Sequence, residues 1–218
     1  MFPLLNSASG KSTEADRLYR TITIVHISLK ERDLNMNSKR NFPELETERL
    51  LLRELNVEDA PFIFKLFSNE KVCKYLYDEE IYTRLEEAKE FIEWNSNPEL
   101  KMHNRWGVVR KQDNALMGTC GFDSWDTYNH MAEIGFDLWH EYWRFGYMRE
   151  TLTSAINSGF NNMNLNRINA FVALENDNSA RLLEHLGFKN EGIFREKHFF
   201  REHYYDHYSY SLLKKDWI

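Results

Sequence analysis

The sequence predicts an α/β (α+β) domain, with elements in the order β-α-α-β-β-β-α-β-α-β-β. Three observations predict this class. Strand-like apolar runs alternate with segments whose apolar residues recur at spacings of three and four, as on one face of a helix. Short turn signals separate the strands in the middle of the chain, which indicates antiparallel pairing there. No internal repeat is present.

The first part of this pattern consists of one strand and two helices. Residues 49–55 form an apolar, strand-like run. Asn56 follows as a good helix N-cap, with Asp59 at the third helical position. A second helix is predicted over residues 84–94. The apolar positions that define the two helices are Ala60, Ile63, Phe64, Phe67, Leu85, Ala88, Phe91 and Ile92.

The second part supplies six strands and two helices. Turn signals at 111–114 and 126–129 separate three of the strands. A long helix with one apolar side is predicted over 146–163, and a short helix over 178–186 ends at Gly187, the expected C-terminal stop. The strands are predicted over residues 105–110, 115–125, 130–139, 167–174, 188–199 and 204–213.

Composition restricts the class of function. The length of 218 residues suits one domain, or one domain with an arm. The net charge of -6 argues against a general nucleic-acid binder and mildly favours a cationic partner such as an amine. No apolar run approaches the roughly 20 residues of a membrane span. Cys73 and Cys120 lie far apart without a partner motif, so we expect neither a disulfide scaffold nor a zinc site, and a cytoplasmic location.

Residues 1–40 differ from the rest of the chain. They mix polar clusters with one strand-like run, and the convincing domain patterns begin only at Glu46. Met36 stands just before that domain. We therefore expect residues 1–40 to be an N-terminal arm or a mis-annotated extension, with the domain over residues 44–218.

The most informative segment covers residues 132–150, which read as strand, short loop, glycine and helix. A helix start presents free backbone N–H groups and the positive end of the helix dipole, which suit an anion such as a pyrophosphate. Gly146 would let this backbone approach a ligand without a side chain in the way. The alternative is that Gly146 only eases a tight strand-to-helix turn.

Residues 141–150 read Glu-Tyr-Trp-Arg-Phe-Gly-Tyr-Met-Arg-Glu. This segment resembles the acetyl-CoA signature of the GNAT N-acetyltransferases, in the variant of their RimJ/RimL-like branch. Segments 46–53, 166–188 and 205–217 resemble other parts of the same family in the right order. Four motifs at the proper spacing are far more specific than one glycine. The departures are Arg144 and Phe145, in place of a small-then-basic pair, and Arg149, in place of a small polar residue.

The resemblance implies a three-layer fold with a mixed, mostly antiparallel sheet of about seven strands, a splayed central pair and four helices. It also implies acetyl-CoA as co-substrate and no metal. Residues 133–138 would pair their free backbone groups with the pantetheine arm. The residues implied to bind acetyl-CoA are Phe136, Asp137, Leu138, Arg144, Phe145, Gly146, Tyr147, Met148, Asn176 and Ser179.

The family's reaction needs a proton acceptor for the attacking amine and a donor for the departing thiolate. Glu133 is the first candidate for the base from its position, although it could equally be a solvent-facing strand residue. Asp137 and Glu141 are weaker candidates. Many members place a tyrosine as thiolate donor where this sequence has Leu183, so Ser179 becomes the candidate. The alternative is that Ser179 and its neighbour Asn178 only cap the helix.

The function implied by the resemblance is transfer of an acetyl group to the α-amine of a protein N-terminus, such as that of a ribosomal protein, by a monomer or a homodimer. A small amine acceptor and a non-catalytic acyl-CoA sensor remain as alternatives. His198, His203 and His207 lack supporting cysteines, so they are expected to be ordinary surface or cleft residues. Neither nucleic acid nor a membrane is an expected partner.

Overall fold

The computed structural model describes residues 43–96 and 102–217. The predicted arm over residues 1–40 lies outside these residues and stays a prediction. None of the helices in the described ranges is both long and apolar enough to cross a membrane.

One eight-stranded sheet forms the centre of the domain, in the order β1-β2-β3-β4-β5-β6-β8-β7. Neighbouring strands are antiparallel except for β5 and β6, which are parallel. The mixed, mostly antiparallel sheet is thereby confirmed. The strands are β1 (Leu45–Glu46), β2 (Leu50–Glu54), β3 (Asn104–Arg110), β4 (Ala115–Asp126), β5 (Met131–Leu138), β6 (Arg167–Ala173), β7 (Lys189–Phe200) and β8 (His203–Leu213).

Five α-helices accompany the sheet in the described chain, one more than the sequence predicts. The additional helix is a single turn of four residues, too short to show a helical period. The helices are α1 (Ala60–Phe67), α2 (Glu70–Cys73), α3 (Leu85–Ser96), α4 (Tyr147–Asn161) and α5 (Asp177–His185). Short 3-10 turns cover Val57–Asp59, His140–Tyr142 and Lys214–Asp216.

The entry into α1 follows the predicted cap. The side chain of Asn56 accepts a hydrogen bond from Glu58 N, and the carboxylate of Asp59 accepts one from Asn56 N at 2.9 Å. This reciprocal capping box satisfies donors that a helix start leaves free. It acts through a 3-10 turn, so α1 itself begins four residues after the cap.

Two hydrophobic clusters lie on opposite faces of the sheet. One joins the sheet to α4 and α5 and includes Trp106, Met117 and Leu152. The other joins it to α1 and α3, and Leu116 packs against that cluster. Leu116 and Met117 are successive strand residues whose side chains point to opposite faces. The domain therefore has three layers, as the sequence resemblance implies.

The central pair of strands separates after a short contact. β5 and β6 pair only where Met131, Ala132 and Glu133 meet residues 167–169. β5 then continues to Leu138 without further pairing to β6, while the opposite edge of β5 stays paired to β4. The splayed pair is confirmed, and it leaves one edge of residues 134–138 open.

Gly118 permits the close approach of β4 and β5 at that opening. A Cβ at this position would overlap the carbonyl oxygen of Asp137 and lie 2.9 Å from Leu138 Cα. Both obstacles are backbone atoms, which cannot turn away as a side chain can. Gly135, on β5, differs because a Cβ there would meet nothing closer than 3.5 Å.

We predict that Gly118→Ala destabilises the fold by about 3 kcal/mol or more, since overpacking against backbone forces β4 and β5 apart. Gly135→Ala is the matched control and should change the free energy of unfolding by less than about 1 kcal/mol. Urea unfolding of both variants measures the difference. Equal stabilities would show that the strands are not held together at this point.

Candidate functional site

A cavity of about 790 Å³ opens beside the free edge of β5. This volume lies within the roughly 300–1,000 Å³ typical of ligand pockets. Its walls come from the end of β5, the loop and first turn of α4, α5, and the segment around α2. The lining residues are Lys71, Val72, Lys74, Tyr75, Leu76, Phe136, Asp137, Leu138, Tyr142, Trp143, Arg144, Gly146, Tyr147, Met148, Arg149, Asn176, Asn178, Ser179, Arg181, Leu182 and His185.

The cavity brings together every residue predicted to bind acetyl-CoA except Phe145. The Phe145 side chain is 63% exposed, and it is the carbonyl of this residue that is engaged, by Arg49 Nη1 at 3.0 Å. Glu133 also lies outside the lining, further back along β5 where the strands begin to separate. Glu141 is exposed in its 3-10 turn and does not line the cavity either.

The loop before α4 presents backbone to this cavity. Gly146 has φ of 78° and Arg144 has φ of 68°, so two left-handed residues turn the chain into the helix. No side chain caps α4, which leaves the N–H groups of its first turn available to a ligand. Trp143 Nε1 donates to the Leu138 carbonyl at 2.7 Å and holds the loop against the end of β5. The arrangement can bind an anion.

Cationic side chains also line the cavity. Arg144 and Arg149 lie at its wall in the glycine loop and first turn, where the sequence places them. Sequence reasoning missed Lys71, Lys74 and Arg181. Arg181 belongs to the same face of α5 as Asn178, which was a readable signal because residues three apart share a helix face. No pattern in the sequence indicates the two lysines, because the segment around α2 that brings them to the cavity is too short to show a helical period.

Asn176, rather than Ser179 or Asn178, caps α5. Its side-chain oxygen accepts a hydrogen bond from Ser179 N at 3.3 Å. The capping role considered for Ser179 and Asn178 is therefore wrong, since the helix begins earlier than predicted. In the described part of the chain the Ser179 hydroxyl has no hydrogen-bond partner, and this residue lines the cavity. Leu183 is fully buried in the core.

Asp137 is tied into the sheet. Its carboxylate accepts hydrogen bonds from Arg105 Nη2 at 2.6 Å and from the Thr119 hydroxyl at 3.3 Å. Burial raises the pKa of this carboxyl, and the Arg105 guanidinium opposes the rise. These contacts assign the Asp137 side chain to supporting β5, which weakens its candidacy as a base.

Glu133 lies at the point where the central strands part. It faces Asp123 on β4 and Asn169 on β6, and it is half-buried rather than solvent-facing. Burial raises the pKa of the Glu133 carboxyl, while the charge of Lys197 opposes the rise. The neighbouring carboxylates of Asp123 and Asp78 add to it. A carboxylate with a raised pKa is a better proton acceptor near neutral pH.

An aromatic cluster joins the loop after α2 to the hairpin of β7 and β8. The rings of Tyr77 and Tyr205 stack with centroids 3.8 Å apart, and His207 approaches Tyr77 edge-on at 5.8 Å. A salt bridge of 2.7 Å between Arg201 and Glu80 adds a second link. These two segments, separated by more than a hundred residues, thus form one wall beside Glu133.

Two histidines belong to this wall. The rings of His198 and His207 lie 4.8 Å apart, and burial lowers the pKa of both, so both favour the neutral form. Within residues 43–96 and 102–217, no three His, Cys, Asp or Glu side chains are grouped so that they could hold a metal ion. The charge of Asp78 acts on His198, Glu133 and Asp137 alike, which places a carboxylate near all three.

Comparison with known proteins matches this architecture to one family. A family model described as the acetyltransferase (GNAT) domain matches residues 49–189. The uncharacterized N-acetyltransferase YoaA of Bacillus subtilis (strain 168) is 37% identical over 174 residues, which cover 79% of this chain and 98% of YoaA. YdaF, from the same strain, carries the provisional name ribosomal N-acetyltransferase and is 26% identical over 172 residues, or 78% of this chain and 94% of YdaF.

Among solved structures, spermidine N-acetyltransferase from Vibrio cholerae, in complex with CoA and spermine, superposes with a TM-score of 0.69. It is 26% identical, and the match covers 78% of this chain and 98% of the other. The family model spans the open strand, the glycine loop and α5, which together build the cavity. The chain is therefore an N-acetyltransferase that belongs to the GNAT family.

Proposed function

We propose that this enzyme transfers the acetyl group of acetyl-CoA to a primary amine, in the first place the α-amine of a protein N-terminus. The observation that carries the proposal is the continuity of the site. The open edge of β5 begins beside the half-buried Glu133, and the cavity joins the far end of that edge to the uncapped start of α4.

The donor end of this path fits an extended, polyanionic thioester. Backbone groups on the open edge of residues 134–138, apart from the Leu138 carbonyl that Trp143 engages, can pair with the amides of a pantetheine arm, much as a peptide adds to a sheet edge. The N–H groups at the start of α4 suit a pyrophosphate. Lys71, Lys74 and Arg181 add positive charge around the same cavity. When bound, acetyl-CoA supplies the activated acyl group.

The chemistry then needs two proton transfers. Glu133 accepts a proton from the amine, directly or through an ordered water, as the amine nitrogen attacks the thioester carbonyl carbon. Collapse of the tetrahedral centre breaks the C–S bond, the Ser179 hydroxyl donates a hydrogen bond to the departing thiolate, and the thiolate then takes up a proton from solvent. The products are the N-acetylated amine and CoA, and no covalent enzyme intermediate is formed.

The α-amine acceptor rests on the likeness to the RimJ/RimL-like branch. That branch often carries a serine at the position of Ser179, which lines the cavity here, while Leu183 occupies the core at the position where many other GNAT enzymes have tyrosine. The provisional name of YdaF points in the same direction. In this proposal the hairpin of β7 and β8 forms one side of the acceptor cleft.

A small polyamine is the second candidate acceptor. Asp78, Glu79, Asp123 and Glu133 surround the acceptor end with negative charge, which favours a substrate with more than one ammonium group. The relative solved with CoA and spermine supports this candidate. A protein N-terminus with a basic second residue would satisfy the same charges.

A cytoplasmic location forms part of the proposal. Cys73 and Cys120 are both free thiols, which suits a reducing compartment.

The first test is calorimetric titration with acetyl-CoA, desulfo-CoA and ATP. We expect both CoA compounds to bind and ATP to bind at least tenfold more weakly, since only the CoA compounds carry a pantetheine arm for β5. Turnover is then measured with spermidine and with a peptide whose α-amine is free or blocked. Acetylation of the free peptide alone supports the α-amine proposal, acetylation of spermidine alone overturns it, and binding without turnover would indicate a sensor.

We predict that Glu133→Gln lowers kcat by about 100-fold or more, because it removes the proton acceptor. The Kd of acetyl-CoA should stay within about twofold, because the substitution removes no contact to acetyl-CoA. The parent should lose kcat/KM as the pH falls through the raised pKa of Glu133, since only the ionised carboxylate accepts a proton. That acidic limb should be absent from the variant. Glu141→Gln is the matched control; a comparable loss there would contradict the assignment.

Ser179→Ala should reduce kcat by about tenfold to 100-fold. This loss is smaller than the loss expected for Glu133→Gln, because a thiolate is a good leaving group and needs less assistance. Ser154→Ala, on α4 outside this cavity, serves as control. Single-turnover kinetics at saturating acetyl-CoA separates the chemical step from binding. A rise in KM for acetyl-CoA at unchanged kcat would reassign Ser179 to donor binding.

A further inference from the structure

The back of the glycine loop is held by residues of the opening strand segment, which lie behind the cavity lining. Arg49 and Thr47 immediately precede β2, and both contact the first turn of α4. Neither residue lines the cavity. Thr47 and Arg49 take no part in the proposed acetyl transfer, although their contacts converge on the backbone that would bind the pyrophosphate.

Glu150 provides the anchor for these contacts. One carboxylate oxygen accepts hydrogen bonds from the Thr47 hydroxyl at 2.6 Å and from Arg49 N at 2.9 Å. The other oxygen accepts one from Arg49 Nε at 2.7 Å. Glu150 N in turn donates to the Gly146 carbonyl at 3.1 Å. The start of β2 is thus fixed to the first turn of α4.

The remaining donors of Arg49 reach the loop itself. Its Nη1 donates to the Phe145 carbonyl at 3.0 Å. In a trans peptide the C=O and the following N–H point in opposite directions, and the described chain contains no cis peptide. Holding the Phe145 carbonyl on the Arg49 side therefore directs the Gly146 N–H to the other side. A second groove, partly lined by Arg49, lies behind the loop, and Gly146 lines both this groove and the cavity. The side of the peptide that faces away from Arg49 therefore faces the cavity.

Arg49 also supports the next residue of the loop. Its guanidinium carbon lies 4.5 Å from the centre of the Tyr147 ring, a cation–π contact. A Cβ on Gly146 would lie only 3.6 Å from Arg49 Nη2, so the arginine packs directly behind the glycine. One side chain thus contacts three successive residues of the loop.

We propose that Arg49 is a positioning residue for acetyl-CoA binding. It orients the Phe145–Gly146 peptide so that the N–H group of this peptide faces the acetyl-CoA pyrophosphate. The inference rests on the proposed function and deepens it. Arg49 acts on affinity for the donor through the loop, without touching the donor or the acceptor. A lysine cannot replace it, because an ammonium lacks the fork of donors that reaches Glu150 and the Phe145 carbonyl together.

The test compares Arg49→Met and Arg49→Lys with Arg167→Met, which removes another arginine that pairs with a glutamate near the start of a strand. The Kd of acetyl-CoA and of desulfo-CoA is measured by calorimetry, and the KM of donor and acceptor by steady-state kinetics. For Arg49→Met we expect Kd and donor KM to rise at least tenfold, with acceptor KM and saturated kcat within about twofold. Arg49→Lys should fall in between, and Arg167→Met should match the parent.

Each other result overturns the inference. Unchanged donor affinity in both Arg49 variants would show that the loop orients itself. Equal losses in Arg49→Met and Arg167→Met would indicate general destabilisation, and the folded state of each variant is checked by its Tm. If Arg49→Met does not fold, Arg49→Lys at parental affinity is sufficient to reject the inference. A parent that binds no CoA compound would instead reject the proposed function itself, and this inference with it.

Discussion

The separation of β5 from β6 after Glu133 is the constraint on which the site depends. Backbone N–H and C=O groups inside a protein need partners, and a strand that loses its neighbour must find them elsewhere. β4 secures one edge of β5, and Gly118 permits that close approach. The other edge then faces a cavity rather than a strand. A ligand with amide groups at strand spacing would complete the sheet, which is the role we propose for the pantetheine arm of acetyl-CoA.

Charge divides the site along that edge. Lys71, Lys74 and Arg181 line the cavity at which the positive end of the α4 helix dipole lies, whereas Asp78 and Glu133 lie where the strands part. Each region thereby suits a ligand of opposite charge, as the proposed acetyl-CoA and ammonium substrates are. Burial is the main cause of the raised pKa of Glu133; the charge of Lys197 opposes the rise, and the carboxylates of Asp123 and Asp78 add to it. The same charges that attract an ammonium group therefore make the proton acceptor stronger.

Local signals made much of this architecture predictable, and tertiary contacts made the rest inaccessible from sequence. The Asn56 cap and the Gly146 loop depend on a few adjacent residues, so the sequence predicts them correctly. The two-residue β1 and the single-turn α2 are too short for any period to reveal. The contacts between Arg49 and Glu150 join residues 101 positions apart. The cap of α5 was misplaced because Asn176, Asn178 and Ser179 are all good capping residues.

The donor and acceptor ends of the proposed site are built from different parts of the chain. The glycine loop and the open strand belong to one continuous stretch of sequence and act through backbone groups that side-chain changes leave intact. The wall beside Glu133 instead depends on side chains from two distant segments, the loop after α2 and the hairpin of β7 and β8. The Tyr77–Tyr205 stack and the Arg201–Glu80 salt bridge join these segments. The exposed Arg201–Glu80 salt bridge is screened by solvent and contributes little to stability, so substitutions there are tolerated. Acceptor choice can therefore change while acetyl-CoA recognition is retained.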